Sequence, residues 1–207
     1  MLPVTLALAV SLAVSSCALG QVDWSRFPGR DAFSQPERVF EALEIGPGLR
    51  VADLGAGEGY FTIRLAEAVG PDGQVWAVEV EGDLVQGLRA LAAGAPGAPI
   101  EVVHGAYEDP RLPDGQVDLV LVSSVYHHIE DRVPYFARLR GDLAPGGRVA
   151  ILEPATGLAS LMLLLSPFHA VSVAEMREEM AAAGYQHVAS HAFLPAHSFE
   201  VFALPPP

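Results

Sequence analysis

The sequence predicts one α/β domain on a seven-stranded, mostly parallel sheet with helices on both faces. Short apolar runs of strand length alternate with segments of helical periodicity along most of the chain. Pro and Gly punctuate the joints, as in Gly70-Pro71-Asp72-Gly73 and Pro145-Gly146-Gly147. A glycine-rich turn joins the first strand to a helix, where open parallel sheets place ligand loops.

The N-terminus reads differently from the rest. Residues 2–14 are almost entirely Leu, Val and Ala, too short for a membrane span but suited to the apolar core of an export signal. Val14-Ser15-Ser16-Cys17 follows and resembles the bacterial lipobox, whose cysteine is lipidated and becomes the new N-terminus. The expectation is an exported protein on the periplasmic side of a bacterial membrane, tethered through Cys17. Met1-Leu2-Pro3 lacks the usual basic residue, and Arg26 is the first cation. An ordinary cleavage site, or a misassigned start ahead of a cytosolic protein, therefore stays open.

Residues 18–33 read as a polar and aromatic lead-in segment, and residues 34–207 as the folded domain. Ser34-Gln35-Pro36-Glu37 has the form of a capping box with Pro in the first turn. Val39, Phe40 and Leu43 form the apolar face of the helix it would open, and Gly46-Pro47-Gly48 stops it. Strands are expected at residues 50–54, 74–78, 100–104, 117–122 and 148–152, with helices at 60–69, 84–92 and 132–143. A second capping box, Ser172-Val173-Ala174-Glu175, opens a helix that ends at Gly184. Strands near 187–191 and 198–203 complete the set.

Composition narrows the function. The chain has 207 residues, 51% of them apolar, enough for one well-packed domain. A formal charge of −13 with only 12 basic residues argues against nucleic acid, since phosphate binding needs clustered cations. A small-molecule or apolar substrate fits better. Cys17 is the single cysteine, which excludes an internal disulfide and a Cys-rich zinc site.

The most informative stretch is Val51-Ala52-Asp53-Leu54-Gly55-Ala56-Gly57-Glu58-Gly59-Tyr60. Glycines there let the backbone turn tightly and approach a ligand. Their G-x-G-x-G spacing departs from the dinucleotide fingerprint, whose third glycine would fall at Tyr60. Asp53 would repel a pyrophosphate but face a cationic ligand. Glu79 ends the second strand about 20 residues after Gly59, where an acid accepts both hydroxyls of a ribose.

Together these residues resemble the class I S-adenosylmethionine-dependent methyltransferases, over roughly residues 35–203. Val51–Gly59 resembles their first motif, and Glu79 falls at their ribose-binding acid. Val117-Asp118-Leu119-Val120-Leu121 with Tyr126-His127-His128-Ile129 resembles their fourth-strand motif, and Leu143–Val149 the turn into their fifth strand. The whole also resembles exported bacterial members of the class. The resemblance implies a Rossmann-like sheet, S-adenosylmethionine as cofactor, and binding by Asp53, Gly55, Ala56, Gly57, Gly59 and Glu79. An Asp commonly follows the third strand in that class; here Ala106 holds the position, so adenine contacts pass to Ala106, the Tyr107 backbone or Glu108.

Acceptor chemistry is less determined. Methyl transfer to oxygen, nitrogen or carbon often needs a general base, and His127 or Glu153 could supply it. A structural His127 and a salt-bridged Glu153 are the blander readings; His128 reads as structural. Ser123, or its neighbour Ser124, would touch the methionine moiety or the acceptor. No metal site is expected, for want of a third ligand at a recognised spacing. Residues 158–165 and His169 read as a buried helix or lid, or as the wall of a pocket for a lipid-like acceptor. Two rival functions remain: an exported lipoprotein keeping the fold as a non-catalytic binding module, and a nicotinamide-dependent oxidoreductase, which Tyr60 and Asp53 disfavour.

Overall fold

The computed structural model describes residues 29–154 and 171–206. The expected leader with Cys17, most of the lead-in segment, residues 158–165 and His169 lie outside the described residues.

The chain starts with two short helices, α1 (Arg30–Ser34) and α2 (Pro36–Leu43). A β-α-β-α-β-β run follows: β1 (Arg50–Leu54), α3 (Tyr60–Val69), β2 (Gln74–Glu79), α4 (Gly82–Ala92), β3 (Ile100–His104) and β4 (Val117–Ser123). A 3-10 turn (Tyr126–His128), α5 (Arg132–Leu139), β5 (Leu143–Pro154), α6 (Val173–Ala182), β6 (Gln186–His191) and β7 (His197–Ala203) complete the domain. The strands form one sheet in the order β3-β2-β1-β4-β5-β7-β6, parallel from β3 to β5. β7 runs antiparallel to both β5 and β6. The order reverses between β1 and β4, so a crevice opens outside the carboxyl ends of those strands.

Strand alternation divides the core. Leu119 and Leu121 of β4 face Val39, Phe40, Leu43, Phe61 and Leu65 of α2 and α3. Val120 and Val122 face Phe136 and Leu139 of α5 and Met176 and Met180 of α6. Burial on both sides explains why the central strands read as continuous apolar runs.

Expectation and structure differ in three places. Ser34 does not cap α2: it is the last residue of α1, and its hydroxyl lies against that of Tyr60. Gln35, in a left-handed conformation with φ 41°, joins the two helices instead. The helix expected over residues 132–143 stops at Leu139, and β5 begins already at Leu143. Pro145-Gly146-Gly147 is thus a kink within a long strand, with the β4 register shifting between Val117 and Leu119. Finally, the lead-in segment carries α1 at its end. The capping box at Ser172 is present: its side chain accepts the Glu175 N–H at 3.2 Å.

Leu121 is fully buried at the sheet centre. Leu121→Ala should lower unfolding free energy by roughly 2–5 kcal/mol, which chemical denaturation would measure.

Candidate active site

The loop after β1 is tied down by its own backbone. Gly55 N–H and Ala56 N–H both donate to Val78 O at 2.9 Å, and Gly59 N–H donates to Ala56 O at 2.9 Å. Gly55, with φ 72°, lies so close to Val125 that an added Cβ would sit 2.3 Å from its Cγ2. At Gly57, with φ 56°, nothing lies within 4 Å of that position. The loop is therefore packed below and open above, which is the form of a cradle.

Glu79 holds the loop from the end of β2. Its Oε2 accepts Gly57 N–H at 2.9 Å, and its Oε1 accepts the N–H groups of Val80 at 2.7 Å and Glu81 at 3.0 Å. The carboxylate is 7% exposed. An ionised carboxylate has about four acceptor sites, so three donors leave one for a hydroxyl in the crevice.

Asp53 ends β1 and is buried. Its Oδ2 accepts the Thr62 hydroxyl at 2.6 Å, from the inward face of α3. Burial pushes its carboxyl up to about 6, opposed by Thr62 and by the Arg30 guanidinium. Arg30 comes from α1 and lies over the Tyr60 ring, 3.7 Å from its centroid, with Arg64 at 4.1 Å. Tyr60 O–H donates to Asp31 at 2.5 Å, so α1 docks on the first turn of α3. Thr62, through its hydroxyl and its backbone, and the Arg30 cation all favour the charged form of this buried acid.

Across the switch point, Tyr126 plunges into the core and donates its O–H to Glu179 at 2.7 Å. That anchor turns His127 toward the tip of β5, where its Nδ1 bonds Glu153 Oε1. Glu153 is 1% exposed, and its Oε2 has no partner among the described residues. His128 is exposed. Ser123 is the last residue of β4, and Ser124, with φ 57°, turns its Oγ to within 3.2 Å of His197 Nε2. On the far rim Ala106 exchanges backbone bonds with Asp109, and the exposed Tyr107 donates to Glu81 at 2.8 Å.

Asp53, Gly55, Ala56, Gly57, Gly59 and Glu79 thus surround one loop, with Ala106 and Tyr107 on the rim beyond β2. Ser123, His127 and Glu153 form a second group at the β4 and β5 tips. Arg30, Thr62 and His197 escaped the sequence reading. Thr62, a polar residue on the apolar face of α3, was the one with a local signal. Among the described residues no group of three or more His, Cys, Asp or Glu could hold a metal ion.

These features define a doubly wound nucleoside-binding fold whose ligand loop is flanked by two acids. Residues 51–147 match the family described as a methyltransferase domain. Nocamycin O-methyltransferase of Saccharothrix syringae is 29% identical over 163 residues, covering 78% of this chain and 58% of that protein. The chain spans from 33% to 58% of the length of the first curated relatives it matches. A SAM-dependent methyltransferase from Aquifex aeolicus shares the fold with TM-score 0.73 and 20% identity, over 93% of this chain and 97% of that one. So does the 1,6-didemethyltoxoflavin-N1-methyltransferase of Burkholderia thailandensis, solved with S-adenosylhomocysteine, with TM-score 0.65 and 19% identity over 100% and 92%. The chain thus resembles S-adenosylmethionine-dependent methyltransferases, through a methyltransferase-domain match at residues 51–147 and a shared fold.

The cofactor of that class fits the donor set found here: its ammonium and sulfonium suit buried acids, and its ribose suits Glu79. Only ionised Asp53 attracts the cation, and the free protein's carboxyl titrates at about 6. S-adenosylmethionine binding should therefore tighten as pH rises through that value. Calorimetry from about pH 5 to about pH 8 would show it, and Asp53→Asn should flatten the dependence.

Proposed function

We propose that the chain transfers the methyl group of S-adenosylmethionine to a small-molecule acceptor. The observation that carries this is the pair of buried acids, Asp53 and Glu79, on either side of the Gly55–Gly59 loop. Glu79 would accept one ribose hydroxyl while it holds Gly57. The amino-acid end of the cofactor carries both signs of charge, so Asp53 would take its ammonium and Arg30 its carboxylate. Ala106 and Tyr107 would border the adenine, and Ser123 would meet the methionine chain.

The bound cofactor supplies an already activated methyl group, so alignment and exclusion of water are the main tasks left to the protein. The His127–Glu153 pair would receive a proton from the acceptor. Its carboxylate is buried and its imidazole reaches the crevice, an arrangement in which the acid orients and supports the base.

Titration calorimetry with S-adenosylmethionine and S-adenosylhomocysteine should give micromolar-scale binding, weakened at least about tenfold in Asp53→Ala and in Glu79→Ala. Unchanged affinity in both would refute the site. His127→Ala and Glu153→Gln should bind the cofactor normally but lower turnover roughly 100-fold or more with a proton-bearing acceptor. Normal turnover would leave them structural.

The apolar run before Val14-Ser15-Ser16-Cys17 supports export and lipidation as a separate proposal. Mass spectrometry of the mature protein should find a lipid-modified Cys17 at its N-terminus; an intact Met1 would overturn this.

A further inference from the structure

A cavity of about 390 Å³ opens between the turn after β4 and the start of α6. His127, Ile129 and Glu130 border it from the turn, Arg132 from the start of α5, and Val171 and Glu175 from the α6 side. Its volume lies in the range of small-molecule sites. His127, the imidazole that Glu153 supports, is one of its walls, so the proposed base and the cavity adjoin. The assignments above do not say what such a cavity selects.

Charge answers that question. Among the described lining residues Arg132 is the one Arg or Lys, and its donors are committed to the protein. Nε and Nη2 donate to Glu179 at 2.7 and 2.8 Å, Nη2 also to Glu175 at 3.3 Å, and Nη1 to Ile129 O at 3.4 Å. Glu130, by contrast, is exposed and makes no hydrogen bond or ion pair among the described residues. Glu175 gives Arg132 only its Oε1. Helices α5 and α6 both begin here, and a helix start carries about half a positive charge. Two such ends together with Arg132 do not balance Glu130, Glu175 and Glu179. The imidazoles do not redress this. Desolvation and the neighbouring His127 lower the His128 pKa, against Glu153, so that ring stays neutral. Any charge on His127 is matched by Glu153 beside it. The cavity is therefore anionic.

We propose that this cavity receives the methyl acceptor, and that the acceptor is a small organic cation. Its ammonium is attracted by Glu130 and Glu175, its apolar body lies against Ile129 and Val171, and its nucleophilic atom is presented on the His127 side. The inference rests on the methyltransferase reading and names its substrate class. A carboxylate or phosphate of the same size would meet two acids and no uncommitted guanidinium. The formal charge of −13 on the whole chain acts in the same direction, drawing cations and repelling anions. Both carboxylates are exposed, so the attraction is of the screened kind and weakens with salt.

The test is calorimetry on the full chain, with and without S-adenosylhomocysteine. Its probes are benzylamine, an ammonium at neutral pH, its neutral isostere benzyl alcohol, and benzoate. Benzylamine should bind roughly tenfold more tightly than benzyl alcohol, with benzoate weakest, and the preference should shrink as salt rises. Glu130→Gln, which breaks no contact among the described residues, should cut the preference roughly threefold. Adding Glu175→Gln should abolish it, whereas Glu41→Gln, which removes the same charge from α2, should leave it intact. Spectra of 15N-labelled histidine should locate the ligand: benzylamine shifts the rings of His127 and His128 and leaves those of His187 and His191 on β6 in place. Equal affinity for amine and alcohol, tighter binding of benzoate, no binding of any probe, or a preference that survives both substitutions overturns the cation site. If S-adenosylhomocysteine fails to bind while the amine preference persists, the methyltransferase reading falls and the cation site stands. Cofactor binding without that preference refutes the cation site alone.

Discussion

Three backbone N–H groups converge on the carboxylate of Glu79, one from the loop after β1 and two from the turn after β2. This joins the loops after β1 and β2 through one buried acid. Without it, these three N–H groups would lose their shared partner, and the two turns would no longer be held together. The packing beneath depends on the same arrangement. Gly55 can approach Val125 only because the loop is drawn toward β2, where Val78 O holds Gly55 and Ala56. The site thus inherits its shape from parallel pairing of β1 with β2 and β4.

Charge is distributed with the same economy. The chain is strongly acidic, yet the crevice pairs its acids with specific donors. Asp53 has Thr62 and the nearby Arg30; Glu79 has backbone N–H groups alone. Arg30 reaches its position because Tyr60 lies between it and Arg64 and because Asp31 bonds Tyr60 O–H. Tyr60, the residue that breaks a dinucleotide fingerprint, therefore acts as the seat for α1. The departure from the dinucleotide pattern and the docking of α1 beside the loop share one side chain.

The tip of β5 is organised by the antiparallel strand. β7 returns beside β5 and sets His197 and Ser198 against Pro154 and Glu153. Tyr126, held by Glu179, fixes the turn that presents His127 from the other side. His127 follows β4 and Glu153 lies on the neighbouring β5, whereas His197 arrives from β7. The Gly55–Gly59 loop and the His127–Glu153 pair sit at different strand tips of one continuous edge.

How much of this the sequence contained depended on the range of the interaction. Local periodicity located the strands, and for the central ones burial on both faces leaves a continuous apolar run; the glycine spacing with Asp53 and Glu79 singled out the loop after β1. The capping box at Ser172 was legible because its donor and acceptor are three residues apart. The one at Ser34 misled, because a competing contact with Tyr60 lies on another helix. Helix α5 was drawn too long, since only pairing with β4 reveals that Leu143 is already strand. Arg30, Thr62 and His197 bear on the site through partners distant in sequence or set in a packed face. Motifs within one loop were fixed by the order of residues; contacts across the sheet edge were decided by folding, because only the register of β5 against β7 and the docking of α1 bring those side chains within reach.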